Sequence, residues 1–306
     1  MSLPDSMPDA TLGATRESRA VAAYLGLALG DALGATVEFM TPAEIRATHG
    51  VHQKIVGGGW LRLKAGQITD DTGMALALGE AILAEGGRVQ AQAVAHAFDA
   101  WMRAKPVDIG HTVRRGLLHF RLTGQTQVPL DEHAAGNGAV MRVLPAILAT
   151  LSADEDALRH ACLTQAHITH HNPLSDAAML CVARMVRRAI GGEDLPSLYA
   201  GEVVPFLQAH PVFVARKREE NPSGYVVDTL RAVFQALFDN HDFETTLVDV
   251  VNRGGDADTT GAIAGMIAGA VYGEAALPAH WLRALDPVVR ERCTAQAMAL
   301  IGIHAA

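Results

Sequence analysis

Apolar residues recur at three- and four-residue spacing through most of the chain, the period of helices that bury one face. The pattern predicts helices over about 17–35, 72–85, 89–104, 110–122, 138–151, 154–168, 173–190, 226–239, 243–252, 259–272 and 286–301. Glycine or proline separates them, as at Gly86-Gly87, Gly191-Gly192 and Leu277-Pro278. Two stretches lack the period. One is 50–68, with Gly57-Gly58-Gly59-Trp60, which has the look of a loop reaching over something; the other is 194–224. No composition shift marks a linker and no fixed-period repeat is evident. The expectation is a single compact all-α domain over 16–306 with many helices and long loops, preceded by a flexible N-terminus over 1–15.

Two of these helices carry glycine at every fourth position: Gly26, Gly30 and Gly34 in one, Gly261, Gly265 and Gly269 in the other. Each such glycine gives up about 1 kcal/mol of helix propensity relative to alanine. The stripes therefore predict a close backbone crossing, a packing device that also brings distant segments together.

Composition sharpens the picture. Hydrophobic residues make up 49% of the 306, but aromatics only 5%, so the core must be aliphatic and alanine-rich, which suits closely packed helices. A net charge of -8 argues against sequence-independent binding of nucleic acid, which needs a basic surface. Cys162, Cys181 and Cys293 are odd in number and far apart, the pattern of buried thiols in a reducing compartment. The first residues, with Pro4, Asp5, Pro8 and Asp9, hold no basic segment leading into an apolar one, so no signal peptide is expected. The most apolar run, Gly261 to Tyr272, falls short of the roughly 20 residues a membrane crossing takes. A cytoplasmic protein without a transmembrane segment is expected.

The chemistry is concentrated in two acidic clusters, Thr69-Asp70-Asp71-Thr72 and Asp256-Ala257-Asp258-Thr259, each at a predicted loop-to-helix junction. Taken singly, each is satisfied by a helix N-cap, where Asp and Thr are favoured and the helix dipole suits them. Taken together they supply four carboxylates beside threonine hydroxyls. All-oxygen donors suit Mg²⁺, Mn²⁺ or Ca²⁺ and not zinc or copper. Four carboxylates exceed the need of one octahedral ion and match two ions about 3.5–4 Å apart. Neither stretch has the ligand spacing or terminal Glu of an EF-hand. A site for two hard divalent metal ions is the expectation.

Several residues stay open between plain and functional roles. Gly136-Asn137-Gly138 opens the helix holding Met141 and Arg142; glycine there permits close backbone approach to a ligand, while Asn137 equally serves as an N-cap. Arg142 meets a phosphate or pairs with an internal carboxylate. His167, His170 and His171 lack further nitrogen or sulfur ligands and suit packing or hydrogen bonding better than metal. Gly58, Trp60 and Tyr225 are candidates for flexible and aromatic contacts to a ligand, with a surface loop as the equal alternative. Asp31, inside a glycine-striped helix, suits a structural role accepting bonds from neighbouring backbone.

The ordered set Gly30-Asp31-Ala32-Leu33-Gly34 with Glu38, Thr69-Asp70-Asp71-Thr72, Gly136-Asn137-Gly138 with Met141-Arg142, Thr169-His170, and Gly254-Gly255-Asp256-Ala257-Asp258-Thr259-Thr260-Gly261 resembles the ADP-ribosylglycohydrolase family. Any one motif is weak; the ordered set, over roughly residues 20–275, is specific. The stretches 36–40, 57–64 and 106–110 look closest to members from nitrogen-fixing bacteria that act on dinitrogenase reductase. The resemblance implies an all-helical fold, a binuclear Mn²⁺ or Mg²⁺ centre, and hydrolysis of the N-glycosidic bond between ADP-ribose and arginine. It further implies an ADP-ribosylated protein, dinitrogenase reductase, as substrate, a PII-type regulator and reversible peripheral membrane association. By position, Thr69, Asp70, Asp71, Asp256, Asp258 and Thr259 match the family's metal ligands, Glu38 its acidic residue beside them, Asp108 a carboxylate beside the substrate ribose, and His170 a site-lining residue. Asp108 and Glu38 are both candidates to move the proton, and the sequence does not rank them. Gly73 departs from the pattern, since a side chain, often Glu, is expected there. Two rivals remain: a hydrolase of another conjugate, such as O-acetyl-ADP-ribose or a serine linkage, and a catalytically silent ADP-ribose-binding relative. The intact acidic set argues against the second.

Overall fold

The computed structural model of the protein describes residues 14–303, so the expected flexible stretch over 1–15 lies almost wholly outside the described residues. Within them the chain is helical, and no strand forms beyond two isolated bridges, Gly58 with Leu63 and Gly136 with Tyr225. The first helices are α1 (Arg16–Gly34), α2 (Pro42–His49), α3 (Asp70–Ala84), α4 (Ala91–Arg103) and α5 (His111–Thr123). There follow α6 (Gly138–Met141), α7 (Leu144–Ala149), α8 (Glu155–Ala166), α9 (Pro173–Ile190), α10 (Leu195–Leu198) and α11 (Val204–Ala209). The last are α12 (Val226–Asp239), α13 (Phe243–Val251), α14 (Ala257–Tyr272), α15 (Ala279–Ala284) and α16 (Pro287–Gly302).

The centre is the antiparallel pair α1 and α14, and the two glycine stripes form their contact. A Cβ on Gly26 would lie 2.1 Å from the Gly265 carbonyl oxygen, one on Gly30 2.0 Å from that of Gly261, and one on Gly34 2.1 Å from that of Ala257. Only glycine lets the backbones approach this closely. The rest of both helices is aliphatic and buried, and it joins one continuous core with α3, α7, α9, α12 and α16. Because the pair is antiparallel, the C-terminal end of α1 meets the N-terminal end of α14. The acidic segments after α1 and before α14 are thereby brought together.

Three departures from the periodic pattern have physical causes. The helix expected over 138–151 divides into α6 and α7, because Pro145 has no N–H and its ring opposes the carbonyl four residues back, at Met141. The stretch 194–224, expected to be irregular, holds α10, a π turn over Tyr199–Val203 and α11; Asp194 caps the first through Ser197 N at 2.9 Å. The missed α2 is set by a capping box: Thr41 Oγ1 accepts from Glu44 N at 3.3 Å, and Glu44 Oε2 accepts from Thr41 N at 2.7 Å. Ile45 alone is buried there, so no apolar period announced it.

The stretch 50–68 contains no helix, as expected, and is braced along its length. His52 Nε2 donates to Leu33 O at 2.9 Å and the buried Trp281 indole donates to Gln53 O at 3.0 Å. Gly59, at φ +66°, lies where a Cβ would be 2.5 Å from Ala35 O, so its close approach fixes the position of Trp60. All three cysteines are buried free thiols. Among the described residues no helix is long and apolar enough to cross a membrane.

Candidate metal centre and cleft

Three loop-to-helix junctions converge where α1 ends and α14 begins. Phe39 N donates to Gly255 O at 2.7 Å and Gly255 N donates to Met40 O at 2.9 Å, which ties the Glu38 segment to the one leading into Asp256. Carboxylate oxygens of Glu38, Asp256 and Asp258 consequently lie within 4.8 Å of one another. The third junction is held by Asp31, buried in α1. It accepts from Thr69 N at 3.0 Å, Thr69 Oγ1 at 3.0 Å, Thr72 N at 3.1 Å and Thr72 Oγ1 at 2.5 Å, and so fixes the start of α3 against α1. This is the structural role its place in the helix suggested. Asp71 then faces Thr259 across the α3–α14 contact, with Thr259 Oγ1 donating to Asp71 Oδ2 at 3.3 Å.

Neither cluster caps its helix. Thr69 and Asp256 occupy the N-cap positions of α3 and α14 without a side-chain capping bond. The acidic side chains are turned toward each other instead, at a large electrostatic cost. Burial raises Glu38 to about 8 and Asp70 to about 7; the neighbouring charges of Asp108 and Asp256 add to both, against the hydrogen bonds from Trp60 to Glu38 and from Gly110 to Asp70. Burial, reinforced by the surrounding carboxylates, drives Asp71 and Asp258 well above the ordinary range, and Asp256 is raised as well. None of the five forms an ion pair among the described residues.

One atom makes the deficiency concrete. Asp71 Oδ1 is buried without any hydrogen-bond partner. A buried carboxylate oxygen of this kind costs free energy unless a cation or donor meets it. The donor set is all oxygen, which fits a hard divalent ion. Asp70, Asp71, Asp256, Asp258 and Glu38, with the threonine oxygens beside them, could hold such ions.

A cleft of about 380 Å³ opens over this group, within the size range of small-ligand sites. Its lining includes Glu38, Trp60, Asp70, Asp108, Asn137, Gly138, Met141, His170, Asp256, Asp258 and Thr259. Asn137 precedes α6 but its amide nitrogen donates to Asp256 Oδ2 at 2.6 Å and Thr229 Oγ1 at 2.9 Å, so it serves the acidic group and not the helix. The one-turn α6 adds little of the aligned dipole that a longer helix would offer a phosphate. His170 is buried against the glycines on either side of Asn137, where a Cβ on Gly138 would lie 2.7 Å from its Cε1. Burial and the nearby Arg142 and Arg115 push His170 down to about 3, so the imidazole is neutral. Asp108, partly buried, is raised by burial against a hydrogen bond from Ile109 N at 2.8 Å.

Other sequence candidates sit elsewhere. Thr69 and Asp71 lie behind the lining, while Gly58 and Tyr225 lie outside it. Arg142, open between phosphate and carboxylate, contacts neither. It is fully buried, donating to Gln165 Oε1 at 2.8 Å and Thr169 Oγ1 at 2.7 Å over the Phe98 ring, and braces the wall that carries His170. His167 and His171 stack on each other, with His167 on Asp176 at 2.9 Å. The sequence reading missed Phe39, which lines the cleft mouth, and Arg253, fully buried on Asp249 and Gln235, which anchors the strand of chain leading to Asp256. A buried basic residue directly before a glycine pair is a signal that hydropathy patterning passes over. Gly73 also has a reason: a Cβ there would lie 2.8 Å from Trp101 Nε1, so the indole of α4 occupies the room a side chain would need.

Comparison with known proteins bears on this geometry. The sequence model of the ADP-ribosylglycohydrolase family matches residues 12–305. The ADP-ribosyl-(dinitrogen reductase) glycohydrolase of Rhodospirillum rubrum is 47% identical over 95% of this chain and 98% of its own length. ADP-ribosylarginine hydrolase Tri1 of Pseudomonas putida is 33% identical over 86% of this chain and 73% of its own. A solved structure described as an ADP-ribosylglycohydrolase-related protein complex superposes with a TM-score of 0.83 at 36% identity, over 94% of this chain and 98% of that one.

Proposed function

The chain belongs to the ADP-ribosylglycohydrolase family, and from that premise we propose that it hydrolyses the N-glycosidic bond joining ADP-ribose to a protein arginine, with ADP-ribosylated dinitrogenase reductase as substrate. The relative at 47% identity is named for that protein and the relative at 33% for ADP-ribosylarginine, which supports both halves of the reading. The observation that carries it is the acidic floor of the cleft: Glu38, Asp256 and Asp258 oxygens within 4.8 Å, with the unpartnered Asp71 Oδ1 beneath them.

Two divalent ions, Mn²⁺ first and Mg²⁺ as the alternative, would be held by Thr69, Asp70, Asp71, Asp256, Asp258 and Thr259. When bound, they supply positive charge to hold ribose hydroxyls and to acidify a water. The chain's own residues do the rest. Asn137, its amide nitrogen engaged with Asp256 and Thr229, has its Oδ1 left to accept from a ribose hydroxyl. Neutral His170 closes one wall and offers no competing positive charge. Glu38 is held by the Trp60 indole at 2.6 Å within the acidic group, whereas Asp108 stands outside that tight trio. Asp108 therefore takes the proton from the attacking water. The new C–O bond forms at the anomeric carbon as the C–N bond breaks, and Asp108 passes the proton taken from the water to the departing nitrogen, so that the strongly basic guanidine leaves as guanidinium and the carboxylate is restored. The transition state has oxocarbenium character, which the surrounding carboxylates stabilise.

The test is release of free ADP-ribose from ADP-ribosylated dinitrogenase reductase in the presence of Mn²⁺, run beside serine-linked ADP-ribose and O-acetyl-ADP-ribose. Release from the arginine conjugate is expected. Release only from one of the others would replace the arginine reading.

A further inference from the structure

Two aromatic rings at the cleft mouth are left largely in water. Phe39 is 63% exposed and Trp60 53%, yet both belong to the lining. Their centroids are 5.3 Å apart with planes tilted by 49°, too close for a ligand to slip between them, so what they offer is their outer faces. Leaving such apolar area exposed gains the fold nothing. Phe39 is also strained. It holds φ of 62°, a left-handed conformation that bulky residues rarely adopt, locked by its N–H on Gly255 O. Strain of this kind collects at working sites and is maintained by the structure around it.

The position of the pair tells what it faces. Trp60 Nε1 donates to Glu38 Oε2 at 2.6 Å, which commits the indole's one polar edge and leaves the ring face free. Glu38 in turn lies within 4.8 Å of the Asp256 and Asp258 oxygens. The rings therefore stand at the acidic, reacting end of the cleft. A folded protein cannot enter a cavity of about 380 Å³, so the modified side chain must reach in through the mouth while its own backbone stays outside. At that mouth the molecule presents aromatic faces next to carboxylates, the combination that attracts a flat, weakly hydrated cation.

We infer that Phe39 and Trp60 seat the leaving group: the guanidinium of the modified arginine lies on their outer faces beside Glu38, and the pair makes the enzyme prefer arginine conjugates to uncharged ones. This rests on the arginine reading of the site and extends it to specificity. The rival occupant of the same rings is the adenine of the substrate, which stacks on aromatic faces but carries no charge.

The two are separated by measuring KM for an ADP-ribosylarginine peptide and, independently, the Kd for free ADP-ribose, which keeps the adenine and lacks the guanidinium. Phe39→Asn removes the ring with a residue that tolerates the left-handed conformation, and Trp60→Leu removes the other; both are made in the metal-loaded full chain. The expected result is a KM raised roughly 3- to 30-fold in each, the range of a cation–π contact, with Kd for ADP-ribose within about twofold of the parent. Trp60→Phe, keeping a face but losing the N–H to Glu38, should retain KM and lose kcat. Loss of ADP-ribose affinity in step with KM would assign the rings to adenine and overturn the inference, as would unchanged KM in folded Phe39→Asn. A parent enzyme that binds ADP-ribose but leaves the arginine peptide intact would overturn the functional reading itself.

Discussion

Asp249 and Asp99 are carboxylates that the fold covers and compensates. Asp249 meets the fully buried Arg253 at 2.7 Å and Arg218 on its other oxygen, and Asp99 meets Arg103 at 2.7 Å and Arg121. Burial pushes both upward, the arginines more than offset it, and both end below the ordinary carboxylate range. The floor of the cleft is built the other way. Glu38, Asp70, Asp71 and Asp258 are buried with the half-buried Asp256 beside them; among the described residues the five receive no arginine or lysine, and all are raised. This chain can evidently bring guanidinium groups to covered acids. That it brings none, among the described residues, to five of them in one place leaves their charge to be met by protons or by a cation from outside the polypeptide. The contrast separates an ion pair that holds the fold from a candidate ion site in the floor of the cleft.

The contrast can be broken from either side. Arg253→Met takes from Asp249 its buried partner, leaving only Arg218 to pair with it, and from Gln235 one of its two donors; it should cost about 3–5 kcal/mol of stability in urea unfolding, as loss of one member of a buried pair does. Gly30→Ala drives a methyl onto the Gly261 carbonyl, where a Cβ would sit 2.0 Å away. It should cost about 3 kcal/mol and, by prising α1 from α14, weaken metal binding as well. Asp258→Asn removes one repelling charge from the floor. Turnover and metal affinity should fall by more than about a hundredfold, while the metal-free protein melts no lower than its parent; a lower melt would mean that Asp258 is paired like Asp249. Asp108→Asn should still bind ADP-ribose, with hydrolysis slowed at least about a hundredfold; normal turnover would remove Asp108 from the proton-moving role.

The smallest effect is on pH. Glu38 and Asp70, at about 8 and about 7 in the folded protein, lie above their unfolded values. Groups raised in this way favour folding most below the unfolded value, and the contribution is lost as pH rises through the folded one. The metal-free protein should therefore melt higher at pH 5.5 than at pH 8.5. Mn²⁺ binds the deprotonated carboxylates, so added Mn²⁺ should stabilise more at pH 8.5 and release protons as it binds. Thermal melts at the two pH values check both signs.

Much of this was legible in the chain. The period of the apolar residues placed α9 and α12 at their observed ends, and the glycine stripes announced a close helix crossing, which the structure makes between α1 and α14. The acidic clusters were conspicuous because neighbouring carboxylates repel. What the sequence could not show was partnership across distance. Arg142 has the same charge whether it meets a phosphate or Gln165, and only burial decides. Phe39 and Trp60 are 21 positions apart on two loops, and no helical or strand period links them. Short capped elements such as α2 escaped because one buried side chain makes no pattern. Gly73 looked like a defect until Trp101 was seen to fill its place.

The central claim is that the unpaired carboxylates await divalent ions that the reaction requires. It is tested most directly by stripping the protein with EDTA and following ADP-ribose release from ADP-ribosylated dinitrogenase reductase as Mn²⁺ is returned stepwise. No release from the stripped protein, rising to full rate as about two ions per chain bind, is the predicted result. Undiminished release by protein shown to be free of metal would contradict it.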